Sequence, residues 1–419
     1  MRSAPARSRP RAHGATPHRR SVLPGGLRVV TQAMPASRSA SVALFVPVGS
    51  RHEDDAHAGL SHLLEHLVFK GTRGYPTVFS AKVPAEHANV ALEAISELAL
   101  RPLLRRADLS AEKPIIADEI RMYIDSPADH VFTLFDEMLF GRHPLGREIA
   151  GTLGSVRRAT HAAVVEHWTS AYRPGRMVLA AAGAIDHDHV AGLASGWVAD
   201  GPRVPDLPVR RPPLPLSAPE PAPAGTVRLA RRDLGQGNLC LGMPGVSRDH
   251  PDRWALDLLG AILGDGMGSR LFLDLRERRS LVYDVSTFSA LYADAGTFGV
   301  HAGFAPPDAP AVVAAVCDQL DRISNDLVLG AELDRARAYT RGRLELRMED
   351  SGAVAGWIGA GEALLPRVLT VDEVIERLDA ISTADVLRVA QQYTTPDAAR
   401  LAVLGPIRSR ASLARAMRR

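Results

Sequence analysis

Residues 160–185 read THAAVVEHWTSAYRPGRMVLAAAGAI, and residues 383–406 read TADVLRVAQQYTTPDAARLAVLGP. Both run through one order: apolar residues at helical spacing, a Tyr, a turn containing Pro, an apolar run of strand length, and then Gly. Few residues are identical; it is the layout that repeats, which is the mark of an internal duplication. Between the two, residues 204–224 (VPDLPVRRPPLPLSAPEPAPA) are too rich in proline for helix or central strand and favour extended geometry. This stretch reads as an interdomain linker. The expected organisation is a disordered tail over 1–20, a first domain over 21–203, the linker over 204–224, a second domain over 225–409 and a short basic tail over 410–419.

Outward from those ends, 27–30 and 41–50 read as strands in the first half. Helical spacing covers 59–69, 86–100, 108–124 and 128–139. In the second half NLCLGMPG (238–245) and TFGVHAGF (297–304) read as strands, and 251–263, 269–279, 308–326, 331–348 and 371–392 as helices. Thr370 with Glu373 and Ser382 with Asp385 have the spacing of capping boxes that open two of the last helical segments. Strand runs followed by helix runs in each half predict an α+β chain of two similar domains, each a mostly antiparallel sheet with helices packed on one face.

Composition fits such cores, with 46% hydrophobic and 23% charged residues. The two cysteines, Cys240 and Cys317, form no CxxC pair and read as buried apolar residues, with neither a disulfide framework nor a thiolate metal site indicated. No run of eighteen apolar residues occurs, and the Arg-rich start has no apolar stretch behind it, so neither a membrane span nor a secretory signal is expected. Prolines in that start also argue against an amphipathic targeting helix. The net charge of +3 is scattered among acids without interleaved aromatics, which is not the footprint of a nucleic-acid surface. A cytoplasmic protein is the expectation.

The segment Gly59-Leu60-Ser61-His62-Leu63-Leu64-Glu65-His66 puts two imidazoles four residues apart, on one face of a helix and within reach of one ion. Neutral imidazoles suit zinc, and a catalytic zinc keeps three protein ligands so that a fourth position can hold water. Glu65, beside the second His, is placed to take a proton from that water. Farther on, Glu112 and Glu119 lie seven residues apart, two turns along one helix face. Which residues bind substrate is not legible.

These stretches resemble the pitrilysin/insulinase family of inverted-motif (HxxEH) zinc metallopeptidases, in particular the two-domain, short-chain type related to mitochondrial processing peptidase. LPGGLRVV, VGSRHEDDAHAGLSHLLEHLVFKGT, DEIRMYIDSPADHVF and FGRHPLGREIAGT look like its N-terminal half, and MGSRLFLDLRERRSLVY looks like its second. The resemblance implies one zinc per chain, with His62 and His66 as ligands, Glu112 as the third ligand, Glu119 as the neighbouring carboxylate that orients the site, and Glu65 as general base. Arg276 and Tyr283 match the family's Arg–Tyr pair, which reaches over the substrate and stabilises charge on the scissile carbonyl oxygen. Four such domains form the family's closable chamber, so a two-domain chain implies a homodimer, or a heterodimer with a related subunit, cutting short or unfolded peptides. One departure is plain: only 45 residues separate His66 from Glu112, fewer than is usual in the family. After Tyr75-Pro76-Thr77 the sequence passes directly to VFSAKVPAEH, which resembles only the end of the strand expected there. The missing part belongs to the edge on which family substrates pair. The alternative function this raises is a weakened or non-catalytic chamber subunit that binds peptides.

Overall fold

The computed structural model describes residues 18–68, 78–199 and 219–418. The first half runs β1 (Arg19–Val22), β2 (Arg28–Ala33), β3 (Ser39–Phe45), α1 (Leu60–Val68), β4 (Val78–Pro84), α2 (Ala88–Leu100), α3 (Arg106–Asp125), α4 (Pro127–Phe140), α5 (Leu153–Arg158), α6 (His161–Ala171), β5 (Val178–Gly183) and α7 (His187–Ala199). The second runs β6 (Val227–Arg231), β7 (Gly237–Pro244), α8 (Arg253–Leu263), a π-helical turn (Phe272–Arg278), β8 (Val282–Leu291), β9 (Gly296–Phe304), α9 (Ala309–Asn325), α10 (Gly330–Arg347), α11 (Ser351–Leu364), α12 (Val371–Ala380), α13 (Thr383–Tyr393), β10 (Arg400–Gly405) and α14 (Arg410–Ala416).

Each half builds a five-stranded sheet, ordered β1-β2-β5-β3-β4 in the first and β6-β10-β7-β9-β8 in the second. One pair in each is parallel, β2 with β5 and β6 with β10, and the rest are antiparallel. The two repeated segments that end the halves fold as α6–β5 and α13–β10, and β5 and β10 are buried at every residue, as apolar runs inside a two-sided sheet must be. Two similar α+β domains are therefore what the chain forms.

Laying β5 on β10 at their terminal glycines equates β3 with β7 and β4 with β9, so that Phe45 matches Gly242, Phe79 matches Val300 and Lys82 matches Gly303. The helices follow in the same order, α1 with α8 and α2 to α7 with α9 to α14. One part has no counterpart among the described residues of the first half. Between α8 and β9 lie thirty-two residues (264–295), which supply the π-helical turn and β8; between α1 and β4 lie nine (69–77). Among the described residues sheet one ends at β4, where Ser80 and Lys82 are exposed, whereas β9 is covered by β8 and buried throughout.

Helices of the same half cover one face of each sheet, as expected from the sequence. The other face is covered by a helix from the opposite half. Val354, Ala355 and Ile358 of α11 pack on Val30, Ala43, Phe45 and Ala182 of the first sheet, and Val131, Phe135 and Leu139 of α4 pack on Cys240, Ala402 and Leu404 of the second. A Cβ on Gly359 would lie 2.0 Å from the Phe45 ring, and one on Gly242 2.8 Å from the Phe135 ring. Phe135 and Gly359 are both the ninth residue of their helices, so equivalent contacts carry the same Phe–Gly pair with its members exchanged. Ion pairs Arg28–Glu362, Arg228–Glu137 and Arg51–Asp294 and the Ser41–Ser351 hydroxyl contact fasten the rim.

Other expectations change in detail. The two capping boxes open two helices as expected, Thr370–Glu373 the helix α12 and Ser382–Asp385 the helix α13, which divides the helical stretch over 371–392. Helix α11 was not legible as a separate element. The expected tail over 410–419 contains α14, capped by Ser409 and burying Leu413 and Ala416. The expected N-terminal tail overlaps β1, which starts at Arg19. Residues 204–218 of the expected linker lie outside the described residues. Both cysteines are free and buried.

Candidate metal centre

Helix α1 owes its position to its first turn. The buried Glu53 carboxylate accepts the Gly59 N–H at 2.8 Å and the Ser61 N–H at 2.5 Å, two of the four amides that a helix start leaves open. Gly59, at φ 88°, passes so close to Ala150 that a Cβ would meet its carbonyl oxygen at 2.4 Å; Gly151 meets Ala58 in the same way. Burial raises the Glu53 pKa against the lowering pull of those hydrogen bonds and of Arg147. Leu60, Leu63, Leu64 and Val68 then face the core, which turns His62 and His66 toward α3.

Helix α3 continues for 20 residues through Pro114 and carries both candidate carboxylates. The two imidazole rings lie 4.7 Å apart between centroids at 65°. Glu119 Oε2 is 3.2 Å from His66 Nε2 and 3.6 Å from His62 Nε2. Donor atoms of these three residues lie within 4.8 Å of one another, the one such group of metal-binding side chains among the described residues. Glu112, 5% exposed, is on the other side of the ring, its Oε2 3.3 Å from His66 Nδ1. The sequence expectation made Glu112 the third ligand and Glu119 the orienting neighbour; in the structure it is Glu119 that stands with the two imidazoles, while Glu112 holds the far nitrogen of one. Their shared helix face was legible, but residue spacing does not say which turn of α3 meets α1.

Two imidazole nitrogens and a carboxylate oxygen converging on one point are a donor set suited to zinc, and no thiolate is near. Burial, and then the neighbouring His66, lowers the His62 pKa against the raising effect of Glu119, which favours the neutral ligand form. The His62 Nδ1 atom is buried without a hydrogen-bond partner. Glu65 is half-buried on the same helix, next to His66.

Two supports were invisible in the sequence. His167 of α6 reaches Ser61 Oγ at 3.0 Å, and burial, with His52 and His57, pushes its pKa down to about 4, so it bonds as a neutral ring. Glu53 holds the start of α1, as described above.

Arg276 lies exposed in the π-helical turn with its guanidinium 5.0 Å over Phe272, and Tyr283 opens β8 at 53% exposure. Neither makes a hydrogen bond or ion pair with the cluster. The matching helix of the second half, α8, has Asp257, Gly260 and Ala261 where α1 has His62, Glu65 and His66, so α8 does not repeat the cluster.

The chain belongs to the insulinase peptidase family, M16. Residues 28–77 match the profile described as insulinase (peptidase family M16), and residues 158–339 match the one described as peptidase M16 inactive domain. An uncharacterized zinc protease of Streptomyces coelicolor is 34% identical over 95% of this chain and 92% of its own length. An uncharacterized zinc protease of Mycobacterium tuberculosis is 33% identical over 443 positions that take in 99% of each chain. That span exceeds the 419 residues present here, so this relative carries residues the chain lacks. The mitochondrial-processing peptidase subunit beta of Saccharomyces cerevisiae is 28% identical over 88% of this chain and 87% of its own. The fold is that of a protease from Helicobacter pylori, with a TM-score of 0.84 at 21% identity over 93% of this chain and 99% of the other. No described helix is long and apolar enough to cross a membrane.

Proposed function

We propose that this chain is a zinc-dependent endopeptidase for short or unfolded peptides, holding one zinc through His62, His66 and Glu119. The observation that carries the reading is the approach of two imidazole Nε2 atoms to one Glu119 oxygen, on helices joined at a packed contact. Zinc there supplies Lewis-acid activation of water and of a peptide carbonyl. Glu112 fixes the tautomer and tilt of His66 by accepting from Nδ1. Glu65 takes the proton from the attacking water and returns it to the leaving amine nitrogen, its helix neighbours keeping it beside the ligands.

Arg276 and Tyr283 are exposed and make no contact with the cluster of their own chain, which supports a composite arrangement. In a symmetric dimer, the second half of one chain would present both side chains to the zinc of its partner and stabilise charge on the scissile oxygen. A heterodimer with a related subunit would use the same surfaces. A cytoplasmic site of action goes with this reading on the sequence expectation alone. The strand-short first sheet favours a second reading, a chamber subunit that binds peptides with little or no hydrolysis.

The deciding experiment is zinc content together with cleavage of an unfolded peptide mixture, for the wild type and for Glu65→Gln. Retained zinc with lost hydrolysis in the variant is the expected result. A zinc-loaded wild type that leaves the mixture intact would leave only the peptide-binding reading.

A further inference from the structure

Tyr283 has no residue opposite it in the second sheet. Val282 lies opposite Phe304 and Asp284 opposite Gly303, the very next residue of β9, so Tyr283 is the extra residue of a β-bulge. The bulge decides where its side chain goes. Farther along β8 the faces alternate regularly: Val285 is buried in the core under the helices of this half, the Thr287 hydroxyl donates to the Gly260 carbonyl of α8 at 3.0 Å, and Phe288 packs on the other face, against α4. Continued back without a break, that alternation would send Tyr283 the way of Val285 and Thr287, into the core. With one residue inserted, Val282 takes the inward place in the same core and Tyr283 stands 53% exposed.

Contacts on either side hold the inserted residue in place. Upstream, the Leu281 N–H donates to the Leu275 carbonyl of the π-helical turn at 2.8 Å. Downstream, Asp284 lies over the bare backbone of Gly303, where a Cβ would collide with its Oδ1, and its Oδ2 is 3.3 Å from Nδ1 of His301. The Asp284 side chain is 62% exposed, so it is not packing that fixes it but this one polar contact and the room that Gly303 leaves. His301 is itself immobilised. It is buried on β9, with its ring stacked on Phe132 of α4 at 5.2 Å between centroids, and Phe132 in turn meets the Phe288 ring edge-on at 5.0 Å. Burial lowers the His301 pKa against the raising pull of Asp284 and Asp129, which favours a neutral ring whose proton sits on the nitrogen that faces the carboxylate.

We propose that Asp284 is a positioning residue for Tyr283: held over Gly303 and against His301, it pins the bulge that turns the phenol out of the core and away from the sheet. The use made of that phenol in catalysis rests on the peptidase reading, whereas the positioning rests on the strand register and the Asp284 contacts alone. Asp284 touches no reacting atom. Its effect on turnover runs wholly through Tyr283, whose hydroxyl must be aimed in advance if it is to meet charge developing on an oxygen.

The test uses the full-length zinc-loaded chain with 3-fluorotyrosine in place of tyrosine, the Tyr283 fluorine line being the one lost in Tyr283→Phe. In the wild type that line should be single and broadened by a soluble paramagnetic agent. Asp284→Ala should pass intensity to a second line that the agent does not reach, and Gly303→Ala should do the same, because its Cβ expels the carboxylate without removing it. Asp284→Asn, whose amide oxygen still accepts from His301, should restore the wild-type line. In peptide cleavage Asp284→Ala should lower kcat by about tenfold or more with KM little changed, and should lower it no further in a Tyr283→Phe background. A Tyr283 line unchanged in both Asp284→Ala and Gly303→Ala would overturn the proposal, as would an equal loss of kcat with and without the phenol, or failure of both variants to fold where Tyr283→Phe folds. A shifted line in a chain whose wild type cuts no peptide keeps this inference and removes the peptidase reading, while cleavage with the line unchanged does the reverse.

Discussion

The carboxylate of Glu112 stands 3.3 Å from Nδ1 of His66, on the side of the ring away from Glu119. A carboxylate in that position fixes which nitrogen of the imidazole is free to ligate. Glu112→Gln should weaken zinc affinity by about 10–100-fold while leaving one zinc bound at saturation. Glu119→Gln should abolish stoichiometric zinc, as should His62→Ala. Titration with a competing chelator separates the two cases, and zinc retained by Glu119→Gln but lost by Glu112→Gln would restore the ligand order expected from the sequence.

The composite arrangement predicts complementation. Mixing Glu65→Gln chains with Tyr283→Phe chains yields heterodimers in which one site carries both defects and the other neither, so activity should rise above that of either variant alone. If Tyr283 served the zinc of its own chain, every heterodimer site would keep one defect and no recovery would be seen. Mass measurement in solution must first return a dimer.

Exchange of Phe and Gly between equivalent contacts predicts a paired rescue. Gly359→Phe places two aromatic rings in the space of one and should destabilise by more than the about 1–3 kcal/mol of ordinary overpacking, since even a bare Cβ there would lie 2.0 Å from the Phe45 ring. Adding Phe45→Gly should recover much of that loss. Phe135→Ala, emptying a fully buried site against the second sheet, should cost about 3–5 kcal/mol. Thermal unfolding followed in each half should show one shared transition; two separate midpoints would mean the halves stand independently.

Asp136, on α4, has its pKa pushed up to about 7 by burial and by the nearby Glu148 charge. An unfolded Asp titrates near 3.9, so the native state binds the extra proton between about pH 4 and pH 7. The contribution of this carboxyl is fully present below about pH 4 and is lost as pH rises through about 7. Asp136→Asn should therefore gain about 1–2 kcal/mol at pH 8 relative to pH 5, less than the full shift because the side chain keeps some exposure. A melting temperature for the variant that tracks the wild type at both pH values would remove the assignment.

Much of this was legible from local chemistry. The repeated helix–Tyr–Pro turn–strand segments gave the duplication, His62 and His66 lie on one helix face because four residues span about one turn, and the capping boxes at Thr370 and Ser382 open α12 and α13. What escaped depends on contacts distant in sequence. Glu112 and Glu119 share a face of α3, and only the packing of α1 decides that Glu119 meets both imidazoles. Helix α11 was missed because, buried against the opposite sheet, it is apolar and glycine-rich around much of its circumference and shows little amphipathic rhythm. The shortened stretch after α1 was legible as a gap, while the edge it leaves on β4 needed the second half for comparison.

The clasp of α11 over the first sheet also sets an order of events during synthesis. When the ribosome has finished β5, every strand of the first sheet exists, yet the surface of Val30, Ala43, Phe45 and Val178 has no cover until residues 351–364 emerge. At about 5–20 residues per second that leaves the surface bare for roughly ten to thirty seconds of elongation. Over that interval the nascent first half is a natural client for a holding chaperone, and a translational pause before residue 351 would lengthen its exposure.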